Sequence, residues 1–308
     1  MTAAKAELLG DRGEAAADDQ FFRSPQFLEA EGATHTLRIE SDEGELVAPL
    51  IVREIPGTEA RDAISPYGYP GFAGGDQTLD PESIDFSATG LVSVFIRHTL
   101  GLSLLAGATE RNVVQIADPE LPPKSRPSDR RQVRRNLEAG YTLEVVPGPK
   151  TTPEQRAGFL DVYEQTMRRT DAAPHYFFGA TYFDRILVAE QTWLVLATAP
   201  EGDLAAASIA AVSDGYLHYY LSGSADSHLR EAPMKNVVTR LVEHATELGL
   251  PLNLGGGISP GDALEEFKRG FANRQQPWLT SELICDERKY AQLSAGRDAA
   301  GFFPAYRR

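Results

Sequence analysis

The sequence has only one cysteine, Cys285, in 308 residues. A single cysteine excludes an internal disulfide and any zinc site built from several cysteines. The six histidines show no paired spacing with carboxylates on one helix, which is the usual pattern of a metal site. A GxxxxGK[ST] run, a GxGxxG run after a strand and a GxSxG run are also absent. We therefore expect no metal, no nucleotide cofactor and no serine nucleophile.

Long apolar stretches are also missing. No window holds about 18 apolar residues, so no membrane span is expected. The first 20 residues lack the apolar region of a secretory signal, and we expect a cytoplasmic protein. The formal net charge of −14 argues against a nonspecific nucleic-acid binder, which needs a broad basic surface. A local basic site is not excluded by this charge.

Length and composition indicate about two domains. Residues 1–20 are rich in alanine and acidic residues, which predicts a disordered tail. Pro147-Gly148-Pro149 is the strongest linker pattern in the chain. We therefore predict one domain over 21–147, a second over 148–286, and a C-terminal segment, 287–308, that packs back on the first domain.

The second half has clear helix and strand signals. Thr152-Pro153 begins a predicted helix, because threonine caps helices and proline suits their first turn. Apolar periodicity and turn residues then predict a short helix, three antiparallel strands, a helix, a strand, a helix and a strand. These elements fall at 182–187, 193–198, 204–212, 216–222, 234–248, 252–254, 262–269 and 279–285. This is the order of an acetyltransferase-type (GNAT) domain.

The first half repeats that order less clearly. The predicted elements are a short helix from Ser24-Pro25, a hairpin, an apolar helix, a strand, a basic helix capped by Ser128 or Asp129, and a strand. After the first helix they fall at 36–40, 45–54, 91–105, 112–117, 130–139 and 141–146. The predicted fold class is thus α/β (α+β), with two tandem GNAT-like (acyl-CoA N-acyltransferase-like) domains around a shared cleft.

Five short motifs stand out along the chain. The first half has a Tyr67-Gly68-Tyr69-Pro70-Gly71 loop and a basic run in the helix at 130–136. The second half has Met167-Arg168-Arg169 followed by several aromatics, and the strand at 218–223 with two adjacent tyrosines. The last motif joins Gly255-Gly256-Gly257 to an FKxGF element at 267–271, and it is the most specific of the five.

Together these motifs resemble the FemABX family, the tRNA-dependent aminoacyltransferases of peptidoglycan cross-bridge synthesis, whose relatives also serve peptide-antibiotic pathways. The resemblance covers about residues 22–286, and the absence of a long heptad segment matches the smaller members that lack a helical arm. It implies transfer of an aminoacyl group from aminoacyl-tRNA to the free amine of a peptide, without a covalent enzyme intermediate or a cofactor. The acceptor would be a UDP-linked muropeptide or a carrier-bound or free antibiotic peptide, and a monomer is favoured.

The resemblance also assigns roles to residues. Lys268 would stabilise the developing oxyanion or the tRNA end, with the Phe267 backbone in the same catalytic site. The expected substrate-binding residues are Tyr67, Tyr69, Arg168, Arg169, His175, Tyr219, Tyr220, Gly255, Gly256 and Gly257. Phosphate contacts to tRNA would come from Arg130, Arg131, Arg134 and Arg135.

Each of these residues also has a purely structural interpretation. Lys268 could be a surface lysine, and the three glycines could form a tight turn that needs positive φ. Tyr219 and Tyr220 point to opposite faces of their strand, and a strand tyrosine more often packs than binds. The arginines could be one solvated face of a helix.

An acyl-CoA-dependent N-acyltransferase is the competing hypothesis, because its fold would be the same. Such enzymes usually have a Q/RxxGxG/A run after the third antiparallel strand, where backbone amides hold the pyrophosphate. The loop at 224–235 has Arg230 and Pro233 but no glycine, and proline removes one donor amide. This departure favours the tRNA-dependent reaction. A non-catalytic binding module is the third alternative.

Overall fold

The computed structural model describes residues 4–75, 77–297 and 301–308. The chain divides into two compact units. Unit 1 comprises Met1–Asp18, Phe22–Arg111 and Pro277–Arg308, and unit 2 comprises Asp19–Phe21 and Asn112–Gln276. Among the described residues, no helix is both long and apolar enough to cross a membrane.

Unit 1 is built on a mainly antiparallel sheet. Numbered along the chain, its elements are β1 (Ala4–Leu9), α1 (Pro25–Ala30), β2 (His35–Ser41), β3 (Gly44–Glu54), β4 (Arg61–Ile64), β5 (Ala73–Gly74), β6 (Ile84–Asp85), β7 (Leu91–Arg97) and α7 (Glu287–Ser294). Its strand order is β6-β1-β2-β3-β4-β7, β5 pairs with β3, and the end of β14 (Arg274–Ile284) pairs with β7. The predicted helix after Ser24 and the predicted hairpin are confirmed as α1, β2 and β3.

The predicted disordered tail is wrong from Ala4 onward. Residues Ala4–Leu9 form β1, which pairs with β2 in the register Lys5 to Glu40. The side chains of Ala4 and Ala6 are buried, whereas Lys5 between them is exposed. This alternation is that of a strand with one buried face, and alanine-rich composition concealed it. Residues 1–3 lie outside the described part.

The predicted apolar helix at 91–105 is also wrong. Its first half is the strand β7, in which every residue from Leu91 to Ile96 is buried. A strand covered on both faces reads as a continuous apolar run, and short runs of this kind do not distinguish a helix from a strand.

Unit 2 is the more regular of the two. Its elements are β8 (Thr109–Ala117, in unit 2 from Asn112), α2 (Pro127–Glu138), β9 (Thr142–Pro147), α3 (Pro153–Arg169), α4 (Ala180–Ile186), β10 (Thr192–Thr198), β11 (Leu204–Ser213), β12 (Tyr216–Ser224), α5 (Met234–Leu248), β13 (Leu252–Gly255), α6 (Ala263–Arg269) and the first residues of β14. The sheet order is β8-β13-β12-β11-β10-β9. Among the five neighbouring pairs in this order, β12–β13 is parallel and the other four are antiparallel.

The elements predicted for the second half are confirmed in type and order. The cap of α3 is a complete capping box, because Thr152 accepts from the Gln155 amide and the Gln155 side chain accepts from the Thr152 amide. The basic helix α2 is also confirmed, although its N-cap is Arg126 followed by Pro127, not Ser128 or Asp129. Val237, Val238 and Leu241 on α5 are fully buried in the core of unit 2.

The predicted domain boundary at 147/148 is contradicted. The chain enters unit 2 at Asn112 and leaves it at Gln276, so β9 and Gly148 are internal to that unit. Gly148 sits in a short 3-10 turn, where an added Cβ would collide with the Thr192 hydroxyl and lie 2.5 Å from the Leu187 carbonyl oxygen. The Pro147-Gly148-Pro149 run therefore forms a closely packed turn and not a linker.

Candidate active site

The glycine turn that follows β13 is fixed by backbone geometry. Gly255 has a φ of +76°, in the left-handed region that favours glycine. A Cβ added to Gly256 would lie 2.6 Å from Asn112 Nδ2 and 2.9 Å from the Val113 carbonyl oxygen. Asn112 and Val113 of β8 therefore lie too close to Gly256 for any side chain at that position. Asn112 Nδ2 also donates to the Gly257 carbonyl at 3.0 Å.

Lys268 lies in the last turn of α6 and is directed onto this turn. Only 8% of Lys268 is exposed, and its Nζ donates to the Gly256 carbonyl at 2.7 Å. The same Nζ is 5.9 Å from the centroid of the Tyr219 ring. The ammonium is therefore held against the glycine turn and does not extend into bulk water, unlike an ordinary surface lysine.

The surroundings of Lys268 lower the pKa of its side chain. Burial lowers the pKa of Lys268 to about 8, and the Asp262 carboxylate opposes this shift. Hydrogen bonds from backbone amides, that of Glu265 foremost, lower the pKa of Asp262 in turn. Asp262 is the N-cap of α6, and it accepts from the amides of Ser259 at 2.9 Å and Ile258 at 2.6 Å. The ammonium therefore has a fixed anionic neighbour and is mostly protonated near pH 7.

Two buried polar side chains support the turn from below. The Gly255 amide donates to Asn253 Oδ1 at 2.8 Å, and Asn253 Nδ2 is 3.0 Å from His218 Nδ1. His218 Nε2 is in turn 3.2 Å from the Ser213 carbonyl oxygen. The Gly255 amide is therefore engaged within unit 2, and the substrate-binding role of Gly255 stays a prediction.

Tyr219 and Tyr220 point to different neighbours, as predicted for adjacent strand residues. Tyr219 packs against the core of unit 2 on the side of Lys268, and its hydroxyl is 2.6 Å from Ser222 Oγ. Burial raises the pKa of Tyr219 to about 12. A β-bulge places Tyr220 between two register pairs of β11 and β12, and its hydroxyl is 2.6 Å from that of Tyr182. Only Tyr219 is therefore near the candidate catalytic lysine.

Phe267 has a structural environment. Its ring packs edge-on to Phe271, with centroids 5.5 Å apart, against the core of unit 2. The ring therefore helps to fix α6, on which Lys268 lies. The role predicted for the Phe267 backbone stays a prediction.

The two tyrosines predicted in the first half lie in unit 1, in the loop that follows β4. The Tyr67 amide donates to Glu31 Oε2 at 2.8 Å. The Tyr69 ring contacts Phe22 and Trp278 edge-on, with centroids 5.5 and 5.9 Å away. Their interpretation as substrate-binding residues stays a prediction.

Arg168, Arg169 and His175 lie at the end of α3 and just beyond it. Arg168 is exposed and pairs with Glu164 one turn earlier, while Arg169 pairs with Asp226. His175 is exposed, with its ring 4.1 Å from that of Tyr176. These neighbours do not include Lys268, and the predicted substrate role of the three residues depends on the family resemblance alone.

The arginines of α2 share one exposed surface. The opposite side of the helix is anchored, because Asp129 pairs with Lys235 at 2.8 Å and Asn136 Nδ2 donates to Asn236 Oδ1 at 2.7 Å. The exposed arginines are Arg130, Arg131, Arg134 and Arg135. We call this surface the α2 arginine face. Arg126, just before the helix, donates to the Glu266 carbonyl at 2.9 Å, which ties this end of α2 to α6.

Four residues of the site were missed by sequence reasoning: Asn112, His218, Asn253 and Asp262. Asp262 carried a usable signal, because an aspartate three residues before Glu265 is typical of a helix N-cap. The other three depend on strand register, since His218 and Asn253 meet only through the β12–β13 pair. Within the described part of the chain, no cluster of three or more His, Cys, Asp and Glu residues is placed to hold a metal ion.

Comparison with known proteins agrees with this architecture. Residues 123–269 match the family model described as an acetyltransferase (GNAT) domain. No curated protein sequence matches this chain significantly.

Among solved structures, FemX superposes with a TM-score of 0.62 at 13% identity, covering 88% of this chain and 93% of FemX. The C-terminal domain of a putative lysylphosphatidylglycerol synthetase from Agrobacterium fabrum gives 0.58 at 15% identity, covering 90% of this chain and 93% of that domain. L-PGS from Bacillus licheniformis gives 0.51 at 12% identity, covering 85% and 90% respectively.

Residues 123–269 thus form an acetyltransferase (GNAT) domain, and the chain has the fold of GNAT-type acyltransferases. More particularly, it has a two-domain, FemX-like double GNAT fold. At identities of 12–15% these likenesses establish the fold.

Proposed function

We propose that this protein transfers an aminoacyl group from aminoacyl-tRNA to the free amine of a peptide. The observation that carries the proposal is the buried ammonium of Lys268 held against the Gly255–Gly257 turn. FemX, a putative lysylphosphatidylglycerol synthetase and L-PGS share the fold, which supports an aminoacyl donor. Because charged tRNA is a cytoplasmic substrate, the proposed reaction belongs in the cytoplasm.

The reaction needs positioning and charge stabilisation more than covalent catalysis. The amine nitrogen attacks the ester carbonyl, a C–N bond forms, and the C–O bond to the tRNA 3′ end breaks. The amine loses a proton and the departing ribose hydroxyl gains one. A lysine ammonium has three N–H donors, and the Gly256 carbonyl takes one of those of Lys268. A remaining donor can stabilise the oxyanion, which is worth roughly 3–4 kcal/mol for a preorganised group.

A covalent enzyme intermediate has no support at the one cysteine. Cys285 is in unit 1, and burial raises the pKa of its thiol to about 12. A thiol in such a setting is almost entirely protonated and is a poor nucleophile. Direct transfer is therefore the proposed route.

The α2 arginine face is the proposed site for tRNA phosphates. It is a local cationic surface on a protein of net charge −14, and it lies on the helix that Arg126 ties to α6. Arg131 and Arg135 are exposed and one helical turn apart, so one phosphate backbone can reach both side chains. The helix is anchored through Asp129 and Asn136 on its other side, so these two arginines can be changed without removing that anchor.

We expect Arg131→Gln with Arg135→Gln to weaken tRNA binding and to make it less salt-dependent. Removal of one arginine–phosphate ion pair reduces the slope of log K against log salt by roughly 0.7–0.9. Filter binding of charged tRNA from about 50 to 200 mM salt measures this slope. The matched control is Lys150→Gln with Arg288→Gln, which removes the same charge from other exposed positions. Equal slopes in both double variants would remove the α2 arginine face from the tRNA site.

The acyl-CoA alternative is disfavoured by the start of α5. A pyrophosphate at that helix would need free backbone amides. The amides of Lys235, Asn236 and Val237 instead donate to the carbonyls of Ala232 and Pro233. The side chain of Lys235 is paired with Asp129 on α2. Few donors of this first turn are left for a phosphate.

A donor competition assay tests the proposal. The protein is incubated with a peptide amine and either radiolabelled aminoacyl-tRNA or labelled acetyl-CoA, over a panel of acceptors. We expect label to move only from the tRNA ester. UDP-linked muropeptide, carrier-bound peptide and free antibiotic peptide intermediates are the acceptors to compare. Transfer from the thioester alone would replace the proposed function with the acyl-CoA alternative.

A further inference from the structure

A row of hydrogen-bonded polar groups lies in the interior of unit 2. It joins the Ser213 carbonyl, His218, Asn253 and the Gly255 amide, with spacings of 3.2, 3.0 and 2.8 Å. His218 and Asn253 are each only 2% exposed. Burying polar side chains costs free energy unless they are hydrogen-bonded, whereas a hydrophobic pair at these positions would carry no such cost. Stability alone therefore does not explain why His218 and Asn253 are polar.

The direction of each hydrogen bond follows from donor chemistry. Asn253 Oδ1 accepts from the Gly255 amide, which fixes the orientation of the Asn253 side-chain amide. Its Nδ2 can only donate, so His218 Nδ1 must accept and carry no proton. The proton of a neutral His218 is then on Nε2, which donates to the Ser213 carbonyl. Burial lowers the pKa of His218 to about 4, which agrees with a neutral ring.

This row ends one residue before the carbonyl that holds Lys268. Asn253 fixes the amide of Gly255, whose φ is +76°, and the next carbonyl, that of Gly256, accepts from Lys268 Nζ at 2.7 Å. Glycine permits many backbone conformations, so a glycine turn is set by the bonds and contacts made to it. The Asn253 bond at Gly255 restrains the turn on one side of the Gly256 carbonyl, and the Asn112 bond at Gly257 restrains it on the other.

We propose that His218 and Asn253 are positioning residues for Lys268. His218 in a single tautomer orients the Asn253 amide, which sets the Gly255 turn and thereby the carbonyl that fixes the Lys268 ammonium. Neither residue touches the reacting atoms. The positioning itself is independent of the donor, and only its effect on turnover rests on the proposed function.

Two substitutions at His218 separate positioning from general stability. In His218→Asn, the amide oxygen lies near the place of Nδ1 and can still accept from Asn253. In His218→Gln, the side-chain amide reaches the place of Nε2, keeps the hydrogen bond with Ser213 and no longer accepts from Asn253. Both variants exchange one buried polar group for another. His218→Gln and Asn253→Ala each remove the bond between the two residues, and we call them the disruptive variants.

The first readout is the Lys268 ammonium itself. In protein labelled with 15N-lysine, its signal is assigned by its loss in Lys268→Met. We expect hydrogen exchange at this ammonium to rise about tenfold in His218→Gln and Asn253→Ala, as for loss of one hydrogen bond to a charged group. His218→Asn should remain close to wild type. Unchanged exchange in the folded disruptive variants, or an equal rise in His218→Asn, would overturn the proposal.

A measurement on the unaltered protein keeps the proposal testable if a disruptive variant does not fold. The 15N shifts of His218 should show a neutral ring with its proton on Nε2 near neutral pH. A proton on Nδ1 would contradict the assigned row of hydrogen bonds and with it the proposal.

Turnover is the second readout. With an active donor, His218→Gln should lower kcat about tenfold with an unchanged KM, and His218→Asn should restore it. The ammonium exchange result stands whichever donor is used. If aminoacyl-tRNA proves not to be the donor but the exchange differs as expected, the proposed function fails and the positioning inference holds.

Discussion

Replacing Lys268 with methionine should lower the turnover number for aminoacyl transfer at least about tenfold, which corresponds to ~1.4 kcal/mol of transition-state stabilisation. Methionine can occupy the space of the buried lysine stem but offers no donor to an oxyanion. Lys268 is only 8% exposed, and replacing a buried charge with an apolar side chain of similar size is often neutral for stability. The fold should therefore be retained. Single-turnover kinetics with saturating aminoacyl-tRNA measure the change.

The pH dependence of this loss distinguishes an acting ammonium from a packing lysine. Burial lowers the pKa of Lys268 to about 8, so the protonated form predominates below that pH and disappears as the pH rises through it. The ratio of wild-type to Lys268→Met rates should therefore be largest below about pH 8 and fall toward one above it. Using the ratio cancels the ionisation of the acceptor amine.

Lys289→Met is the matched control, because Lys289 is an exposed lysine on α7. Its rate should equal that of the wild type at every pH. A Lys268→Met enzyme with near-normal turnover, or a rate ratio that stays constant from well below to well above that pKa, would exclude the Lys268 ammonium from catalysis.

Gly223→Ala should destabilise the protein by about 3 kcal/mol or more. Gly223 is buried on β12, where the backbone of α3 lies directly against it. An added Cβ would lie 2.5 Å from the Tyr163 amide nitrogen and collide with the Val162 carbonyl oxygen. Backbone atoms of a helix cannot yield as the end of a side chain does, so α3 would have to move away from the sheet.

Chemical denaturation of purified protein measures this loss in the free energy of unfolding. Gly179→Ala is the control, because nothing lies within 4 Å of a Cβ at that position. It should change stability by less than about 1 kcal/mol. A Gly223→Ala protein as stable as Gly179→Ala would show that α3 does not approach β12 as closely as the structure has it.

The position of α2 bears on the choice between the two candidate acyl donors, aminoacyl-tRNA and acyl-CoA. One side of α2 anchors to α5 through Asp129 and Asn136, and its other side presents the α2 arginine face. The helix thus covers the start of α5, where a GNAT enzyme would bind pyrophosphate, and supplies cations to solvent. Both features favour a polyanionic donor held outside the protein over a coenzyme held at that helix.

Local patterns in the sequence were sufficient for most helices and strands of unit 2. The threonine and glutamine around α3 define a capping box, and the Gly202 and Gly215 turns separate strands of clear β character. The glycine run and Lys268 were found because their spacing resembles a known family. For the cap and the turns, the deciding interaction lies within a few residues along the chain, so that the sequence states it directly.

Other features were decided only by tertiary contacts. β7 is mostly apolar because it is buried on both faces, and no local signal separates such a strand from a helix. β1 is a strand because it pairs with β2, although its composition suggests a tail. The unit boundaries at 111/112 and 276/277 fall within the strands β8 and β14, where linker composition is not expected.

The candidate site divides in the same way. The sequence determined the chain's overall acidity and carried the signal of the Asp262 cap, because residue type and short spacing are enough for these. The candidate roles of the glycines and of Lys268 came from the family resemblance. Tertiary structure decided that Lys268 is buried, that Tyr219 and not Tyr220 lies near it, and that His218 meets Asn253. These facts depend on strand register and helix placement, which arise from contacts between residues distant in the chain.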